Sequence, residues 1–457
     1  MNNRDTIIAL STPYGIGALA LIRLSGVNSI EIVSQVFSKK NLDKMDSHRL
    51  VFGKILAKDR VLDEVVLSIF RAPHSYTSEN SIEISCHGST FIIESIIKLL
   101  IQKGARLAEP GEFTLRAFLN GKLDLSQSEA VADLIAAETE DIHQIAVQQL
   151  KGGYSSELKK IRQELLDFAS LLELELDFSE EDVEFVNRQQ LTILLTNLIG
   201  QIEPLIESFT LGNALKKGIV VVIAGKPNAG KSTLLNSLIG EDKAIVSTIP
   251  GTTRDLIEVE FKIKGIPFRI IDTAGLRNSE DEIELLGIQK TYQEIEKAGI
   301  LIYLFDPQEL GLESLKVELQ KLNLLENNTK LIIVANKMDL VKEGYFNQEN
   351  LFNYPLVSIS AKQMQNLDLL KQALIDQVDR SRLQTGAPII TNIRHQDALN
   401  KTLLALKATL ALTITPNSGE LLAFEIRDAL YHLGTITGEV SSEELLGNIF
   451  GRFCIGK

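Results

Sequence analysis

Cysteine is scarce in this chain, and other features that would place it in a specialised class of protein are missing. The 457 residues include only Cys86 and Cys454, which excludes a disulfide framework and leads us to expect a reducing, cytoplasmic compartment. The N-terminal stretch lacks a basic region followed by a long apolar one, so we expect no secretory signal. The most apolar run, Ile219 to Ala224, has the length of a strand, and a span needs roughly 18–20 residues. We therefore expect no membrane association.

An excess of basic residues is also missing. Lys and Arg number 47 against 60 Asp and Glu, a formal net charge of −13, which excludes a broad basic face for nucleic acid unless the charge is segregated. Residues 121–213 hold 18 acidic and 6 basic side chains, so the other segments could still contact a polyanion locally. With 30 Gly, 11 Pro and 44% hydrophobic residues, the composition excludes collagen-like, low-complexity and disordered chains.

Apolar patterning divides the chain into four segments. Residues 1–120 mix short β-type runs with helical stretches and predict a small α+β domain. Residues 121–213 and 382–457 repeat apolar residues every three or four positions, which indicates helices. Between them, residues 214–381 alternate strand-like and helical patterns, as in a doubly wound α/β domain. We predict a multidomain protein in which an α/β unit is inserted into an all-α helical domain; two separate helical domains are the alternative.

A phosphate-binding loop is predicted between an apolar strand and a helix. Residues 225–232, GKPNAGKS, fit the pattern G-x-x-x-x-G-K-[ST]. The glycines let successive backbone N–H groups point at phosphate oxygens, and the N-terminus of the helix adds a favourable dipole. Lys231 is expected to reach the β- and γ-phosphates, and Ser232 to offer its hydroxyl to Mg²⁺. The predicted nucleotide contacts here are Asn228, Ala229, Gly230, Lys231, Ser232 and Thr233.

Three shorter motifs follow predicted strands in the same unit. In DTAG the carboxylate of Asp272 would face Mg²⁺ and the N–H of Gly275 would bond the γ-phosphate. In NKMD the carboxylate of Asp339 can accept hydrogen bonds from N1–H and the N2 amino group of guanine, donors that adenine lacks. In SAK a backbone N–H can bond guanine O6. The order of these motifs predicts a Ras-like P-loop GTPase domain with GTP as substrate and with further contacts from Asp272, Thr273, Ala274, Gly275, Asn336, Lys337, Asp339, Ser360, Ala361 and Lys362.

The residue that orients the attacking water is not obvious from these motifs. Many GTPases have a glutamine immediately after D-x-x-G, but this chain has Leu276, which can neither orient water nor take a proton. The acidic stretch at residues 278–284 offers several carboxylates that could polarise water, or it is simply a solvated loop.

Charge on the phosphates also needs neutralising. Arg254 and Arg277 are candidates for an internal arginine finger. Alternatively, the side-chain oxygen of Asn228 could hold a monovalent cation beside the phosphates. Thr252 or Thr253 is expected to close on Mg²⁺ when the γ-phosphate is present.

Taken together, the motifs resemble one known family over essentially the whole chain. GKPNAGKS, GTTRD, DTAGLR and NKMD occur with APHSYTSEN, SCHGS and FTLRAFLNGKLDLSQSEAVADLI near the N-terminus and with the ending CIGK. This combination is similar to the MnmE (TrmE) family of tRNA uridine-modifying GTPases, and the ending is its most specific part. Pro250 before GTTRD and Ser247 in place of a common Thr are minor departures.

The resemblance implies a potassium-dependent GTPase whose G domains face each other in a homodimer. Asn228 resembles the side-chain ligand of K⁺ and Glu284 the water-orienting glutamate, while Arg254 and Arg277 become supporting residues. The remaining K⁺ ligands would come from Ser247, Ile249 and Thr252, and Mg²⁺ would be held by Ser232 and Thr253. The implied nucleotide loop comprises Ser247, Thr248, Ile249, Pro250, Gly251, Thr252 and Thr253.

For the N-terminal domain, residues 1–120, the resemblance implies dimerisation and binding of 5,10-methylene- or 5-formyl-tetrahydrofolate. Arg23, Glu83 and Lys122 match the contacting positions, with Lys457 reaching in from the C-terminus. Cys454 is read as a catalytic or substrate-proximal thiol, and a packed terminal cysteine is the alternative. We expect no prenylation, because Gly456 and Lys457 do not fit the signal.

The implied reaction adds a carboxymethylaminomethyl or aminomethyl group at C5 of the wobble uridine of certain tRNAs. An FAD-containing partner, MnmG, would join the homodimer in a heterotetramer or larger assembly. Because residues 121–213 are acidic, we expect the partner to contribute much of the RNA-binding charge. The alternative is a GTPase switch in ribosome assembly or signalling, which leaves the N-terminal domain and the CIGK ending unexplained.

Overall fold

The computed structural model of the protein describes two compact units, each built on a six-stranded sheet. The described residues are 5–58, 60–177, 187–241, 258–272, 299–321, 330–341, 354–378, 381–415 and 419–456. The first unit draws on residues 1–136, 146–191 and 408–457, and the second on residues 137–145 and 192–407.

The sheet of the first unit has six strands: β1 (Thr6–Leu10), β2 (Leu19–Ser25), β3 (Arg49–Ala57), β4 (Arg60–Phe70), β5 (Ser81–His87) and β6 (Ala105–Leu107). Their order in the sheet is β3-β4-β5-β2-β1-β6. Adjacent strands are antiparallel except for β1 and β6, which are parallel.

The two faces of this sheet are covered differently. On one face, Ile22 and Ile84 belong to a large core that includes residues of α1 (Ser29–Ser34) and α2 (Thr90–Gln102). On the other face, Ile7 and Ala9 of β1 form a small cluster with Phe113 of α3 (Glu112–Leu119). The face with the small cluster leaves room beside it for polar side chains.

The helices of the first unit confirm the predicted helical segments. They are α4 (Leu125–Ile135), α6 (Gly153–Asp177), α13 (Gly419–Thr437), α14 (Glu443–Phe450), and parts of α5 (Glu140–Leu150), α7 (Arg188–Lys217) and α12 (Ile393–Leu412). Four apolar residues spaced three, four and seven apart along α6 are buried: Leu158, Ile161, Leu165 and Leu172.

Helices that are distant in sequence pack together in this unit. Arg162 of α6 pairs with Glu439, just after α13, at 2.6 Å. At the other end of the same two helices, a Cβ on Gly419 of α13 would lie 3.2 Å from the side chain of Leu176 of α6. The α/β unit is therefore inserted between segments that share one helical domain, as predicted. Among the described residues, no helix combines the length and apolarity needed to cross a bilayer.

The sheet of the second unit has six strands: β7 (Ile219–Ala224), β8 (Glu258–Ile263), β9 (Ile266–Asp272), β10 (Ile300–Phe305), β11 (Lys330–Ala335) and β12 (Leu356–Ser358). Their order in the sheet is β12-β11-β10-β7-β9-β8, and the sheet is parallel except for β8, which is antiparallel to β9. The helices include α8 (Lys231–Glu241), α9 (Leu312–Lys321), α10 (Leu367–Asp376) and α11 (Ser381–Thr385). The order in which strands are added to the sheet reverses between β7 and β10, because β9 and β8 lie on one side of β7 and the later strands on the other. Folds of this kind bind ligands at such a point, beyond the carboxyl ends of the strands.

Candidate functional site

The phosphate loop, residues 225–230, connects β7 to α8 at this reversal point. Gly225, Asn228 and Gly230 have φ values of +149°, +63° and +98°. A Cβ on Gly225 would collide with the carbonyl of Leu304, and one on Gly230 with the side chain of Asn336. The loop can therefore follow this path only with glycine at both ends, as its motif requires.

Lys231 begins α8 and turns back over the phosphate loop. Its Nζ donates to the carbonyls of Gly225 at 2.8 Å and of Lys226 at 2.9 Å. Ser232 and Thr233 follow it on the exposed first turn of the helix, and Ala229 is buried. An ammonium group above a loop at a helix N-terminus is a suitable site for an anion.

The buried side chain of Asn336 joins the phosphate loop to the loop after β12. Its Nδ2 donates to the carbonyl of Ala229 at 2.8 Å, and its Oδ1 accepts from the N–H of Ala361 at 3.0 Å. The sequence assigned Asn336 to nucleotide binding but gave no sign that it links two loops.

Asp339 lies close to Asn336 in the base loop, residues 336–340. Its Oδ1 accepts from the hydroxyl of Ser360 at 2.6 Å, which fixes the direction of the carboxylate. The carboxylate of Asp339 is half-buried. Lys362, two residues after Ser360, is exposed. Lys337 has a φ of +61° and pairs through Nζ with Asp306 at 2.8 Å.

The DTAG motif begins at Asp272, the last residue of β9. The backbone of Asp272 ends β9 in register with Ile223 of β7, so the strand end that carries it lies beside the phosphate loop. The predicted residues outside the described residues are Ser247, Thr248, Ile249, Pro250, Gly251, Thr252, Thr253, Arg254, Thr273, Ala274, Gly275, Leu276, Arg277, Glu284 and Lys457.

The predicted metal sites are therefore represented by two side chains. Asn228 is exposed in the phosphate loop, and Ser232 is exposed at the start of α8. Their amide and hydroxyl oxygens are hard donors of the kind that suit K⁺ and Mg²⁺. Within the described ranges no cluster of three or more His, Cys, Asp or Glu could hold a metal ion.

A second polar cluster lies on the first unit, where Arg23 of β2 is opposite Glu83 of β5. The Nε and Nη2 of Arg23 both contact Oε1 of Glu83, at 2.9 and 2.8 Å, with side chains 14% and 20% exposed. The guanidinium also lies over two rings, 5.2 Å from the centroid of Tyr76 and 5.7 Å from that of Phe113. Such stacking orients the cation and desolvates it in part.

Three further features border this cluster. Lys122 donates through Nζ to the carbonyl of Ser75. The hydroxyl of Ser75 is buried and has no hydrogen-bond partner in the structure. Tyr76 donates to or accepts from Thr114 at 2.9 Å, and burial raises the pKa of its phenol. Tyr76 lies in a quoted segment, APHSYTSEN, but sequence reasoning did not single it out because its position beside Arg23 depends on sheet pairing.

The C-terminal segment packs near the same end of the sheet. Cys454 is exposed, and its carbonyl accepts from the N–H of Gly111 at 3.4 Å. The carbonyl of Gly456 accepts from the hydroxyl of Ser11 at 3.4 Å, just beyond β1. Because Ala9 of β1 pairs with Arg23, the end of the chain lies close to the Arg23–Glu83 cluster.

Comparison with known proteins covers nearly the whole chain. Residues 6–122 match the family described as the GTP-binding protein TrmE N-terminus, and residues 125–454 match the MnmE helical domain. The chain is 50% identical over 458 residues to the tRNA modification GTPase MnmE of Flavobacterium psychrophilum, covering 99% of each chain. It is 48% identical over 456 residues to that of Cytophaga hutchinsonii, covering 100% of this chain and 98% of the relative.

A G domain of known structure matches part of the chain. The G domain of the T. maritima FeoB iron transporter is 27% identical and covers 35% of this chain and 98% of its own, with a TM-score of 0.27. The fold described above rests on strand order and not on this similarity. The family matches, the full-length relatives and the phosphate and base loops at one sheet edge agree, and the chain belongs to the MnmE family of tRNA modification GTPases.

Proposed function

We propose that this protein is a potassium-activated GTPase that takes part in modifying C5 of the wobble uridine of certain tRNAs. The observation that carries the proposal is the bridge from Asn336 to Ala229 and Ala361, because it joins the phosphate loop to the loop predicted to contact guanine. Membership of a family of tRNA modification GTPases supports the substrate class.

The proposed GTP position follows from the chemistry of the two loops. Backbone N–H groups of the phosphate loop and the ammonium of Lys231 would bind the β- and γ-phosphates. Asp339, oriented by Ser360, would accept from guanine N1–H and the N2 amino group. The N–H of Lys362 would bond O6, because the N–H of Ala361 already donates to Asn336. Ser232, Thr253 and Asp272 would hold or face Mg²⁺.

For hydrolysis we propose that Glu284 orients the water, since Leu276 cannot. K⁺ would lie beside the phosphates with ligands from Asn228, Ser247, Ile249 and Thr252. The ion would supply positive charge to the phosphates in the transition state, which an arginine supplies in other GTPases.

The Arg23–Glu83 cluster is the proposed site for 5,10-methylene- or 5-formyl-tetrahydrofolate. A carboxylate such as Glu83 can pair with the amino group and N3–H of the pterin, and cations such as Arg23, Lys122 and Lys457 suit the glutamyl tail. The position of Gly456 beside Ser11 supports the approach of Lys457 and of Cys454, the proposed substrate-proximal thiol.

The proposed assembly is a cytoplasmic homodimer joined by an FAD-containing MnmG-type partner in a heterotetramer or larger complex. Residues 1–120 would form the folate-binding and dimerisation domain, residues 214–381 the G domain, and residues 121–213 and 382–457 the helical domain. The excess of acidic residues in 121–213 supports a partner that provides much of the charge for tRNA.

Two experiments test this proposal. Removal of the gene, followed by nucleoside analysis of total tRNA, is expected to abolish the C5 modification of the wobble uridine; unaltered nucleosides would favour a switch in ribosome assembly or signalling. GTP turnover of the purified protein is expected to be faster in K⁺ than in Na⁺ at equal ionic strength. Equal rates would contradict the role given to Asn228.

A further inference from the structure

Two ion pairs connect the nucleotide loops to one neighbouring part of the sheet. Lys226 of the phosphate loop pairs with Glu318 of α9 at 2.7 Å. Lys337 of the base loop pairs with Asp306, which directly follows β10, at 2.8 Å. Both acidic residues belong to the segment from β10 to α9, which carries none of the GTPase motifs.

Asp306 is well placed to fix the base loop. Its side chain is 5% exposed, its Oδ1 accepts from the N–H of Gln308 at 2.9 Å, and its Oδ2 faces Lys337. The hydrogen bond from Lys337 to Asp306 raises the pKa of the Lys337 ammonium above its usual value. Lys337 has a left-handed backbone, which costs energy for a residue with a side chain, and the ion pair opposes its relaxation.

Glu318 is held from the sheet in a similar way. Its Oε2 accepts from the hydroxyl of Tyr303 on β10 at 2.7 Å, while its Oε1 binds Lys226. Burial and, to a smaller extent, this hydrogen bond raise the pKa of the Tyr303 phenol. The hydroxyl therefore stays protonated and can donate at neutral pH. An exposed ion pair alone contributes little, but this carboxylate is oriented in advance by a buried side chain.

We propose that Asp306 and Glu318 are positioning residues for the nucleotide, acting through Lys337 and Lys226. Both oxygens of each carboxylate are engaged by protein groups, so each acid acts on its loop and not on GTP. The two ion pairs set the spacing between the phosphate loop and the base loop before the nucleotide binds. The inference rests on the GTP position proposed above.

The test compares nucleotide affinity with turnover in the full-length protein. Asp306→Asn and Glu318→Gln keep the shape of each side chain and remove its charge. Each is expected to raise the Kd of a fluorescent GDP analogue about tenfold, with kcat at saturating GTP changed less than about twofold. The two increases in Kd should multiply in the double variant, because each ion pair holds a different loop.

Matched variants separate positioning from general damage. Glu313→Gln, an exposed acid on α9, should change the Kd less than about twofold. Tyr303→Phe frees Glu318 without touching Lys226 and should raise the Kd by a smaller factor, roughly threefold. If Asp306→Asn does not fold, Asp306→Ser removes the same charge and keeps an oxygen that can accept from the N–H of Gln308. Unchanged GDP affinity in folded Asp306→Asn and Glu318→Gln, or a loss of kcat alone, overturns the inference.

The result also distinguishes this inference from the proposed GTP position. If Lys231→Ala and Asp339→Asn bind the GDP analogue normally, the nucleotide lies elsewhere and both proposals fail. If these two variants lose binding while Asp306→Asn and Glu318→Gln do not, only the positioning role is wrong.

Discussion

The side-chain amide of Asn336 donates to the carbonyl of Ala229 at 2.8 Å across 107 positions of sequence. The same side chain accepts from the N–H of Ala361 at 3.0 Å. One buried group thus ties together the loops that would hold the two ends of the nucleotide.

Replacement of Asn336 by Ala should loosen both loops. It leaves a buried carbonyl and a buried N–H unpaired, at an expected cost of about 2 kcal/mol in the free energy of unfolding, and it should lower GDP affinity about tenfold. Denaturant titration and nucleotide binding measure the two effects. Asn236→Ala, at an exposed position of α8, is the control, and equal behaviour of the two variants would contradict the linking role.

The carboxylate of Asp339 should determine base preference. In Asp339→Asn the amide can donate to the C2 carbonyl of xanthine but can no longer accept both donors of guanine. We expect kcat/KM for GTP to fall roughly a hundredfold and that for XTP to rise. Asp368→Asn, an exposed acid on α10, serves as the control. A loss of activity toward both nucleotides alike would argue against base reading by this residue.

Glu284→Ala should slow hydrolysis without weakening binding. Because a water-orienting group acts mainly in the transition state, we expect kcat to fall about a hundredfold or more while GTP affinity stays within about threefold. Single-turnover kinetics and binding measurements separate the two quantities. Glu282→Ala, from the same acidic stretch, should retain turnover; a parallel fall in affinity and rate for Glu284→Ala would count against the assignment.

Glu83 should be required for folate binding. Glu83→Gln removes the charge that would pair with the pterin edge and releases Arg23, so the Kd for 5-formyl-tetrahydrofolate should rise about tenfold by calorimetry. The exposed pair of Lys54 and Glu64 on β3 and β4 provides the control, Glu64→Gln. Unchanged affinity in Glu83→Gln would place the folate elsewhere.

Stability of the first unit should depend on pH through Glu112. Burial alone would raise the pKa of this carboxyl, but hydrogen bonds from Arg106, from the N–H of Glu109 and from Arg116 outweigh it and hold the pKa below its usual 4.5. Because the folded pKa is lowered, the stabilisation is present above about pH 4.5 and is lost as the pH falls through the folded value.

Glu112→Gln should therefore lower the free energy of unfolding by about 3 kcal/mol at pH 7, since the buried Arg116 and the exposed Arg106 each lose a charged partner. The difference from the native protein should shrink as the pH falls below about 4.5. Thermal unfolding from pH 3 to 8 measures it, with the exposed Glu109→Gln as control. A difference that does not vary with pH would show that shape, and not charge, is responsible.

The sequence by itself was sufficient for the local elements of the fold. The apolar spacing along α6 predicted its buried face, because a period of three to four residues is that of a helix. Apolar runs of strand length, which alternate with helical patterns, predicted the five parallel strands of the second unit. The antiparallel strand β8 and the helix α1 were not predicted. Strand β8 alternates charged and apolar residues and lacks the continuous apolar run of a strand such as β7, and α1 has only six residues. The motif residues also followed from sequence, and their nucleotide, metal and folate roles remain predictions.

The tertiary structure alone decided which distant side chains meet. Strand order places Asp306 beside Lys337 and lets Asn336 reach Ala229, and pairing of β2 with β5 sets Arg23 against Glu83 with Tyr76 and Phe113 around it. None of these contacts has a local pattern in the chain. They arise because hydrogen-bonded register fixes which residues lie opposite each other, and register depends on the packing of the whole sheet and not on the sequence of either strand alone.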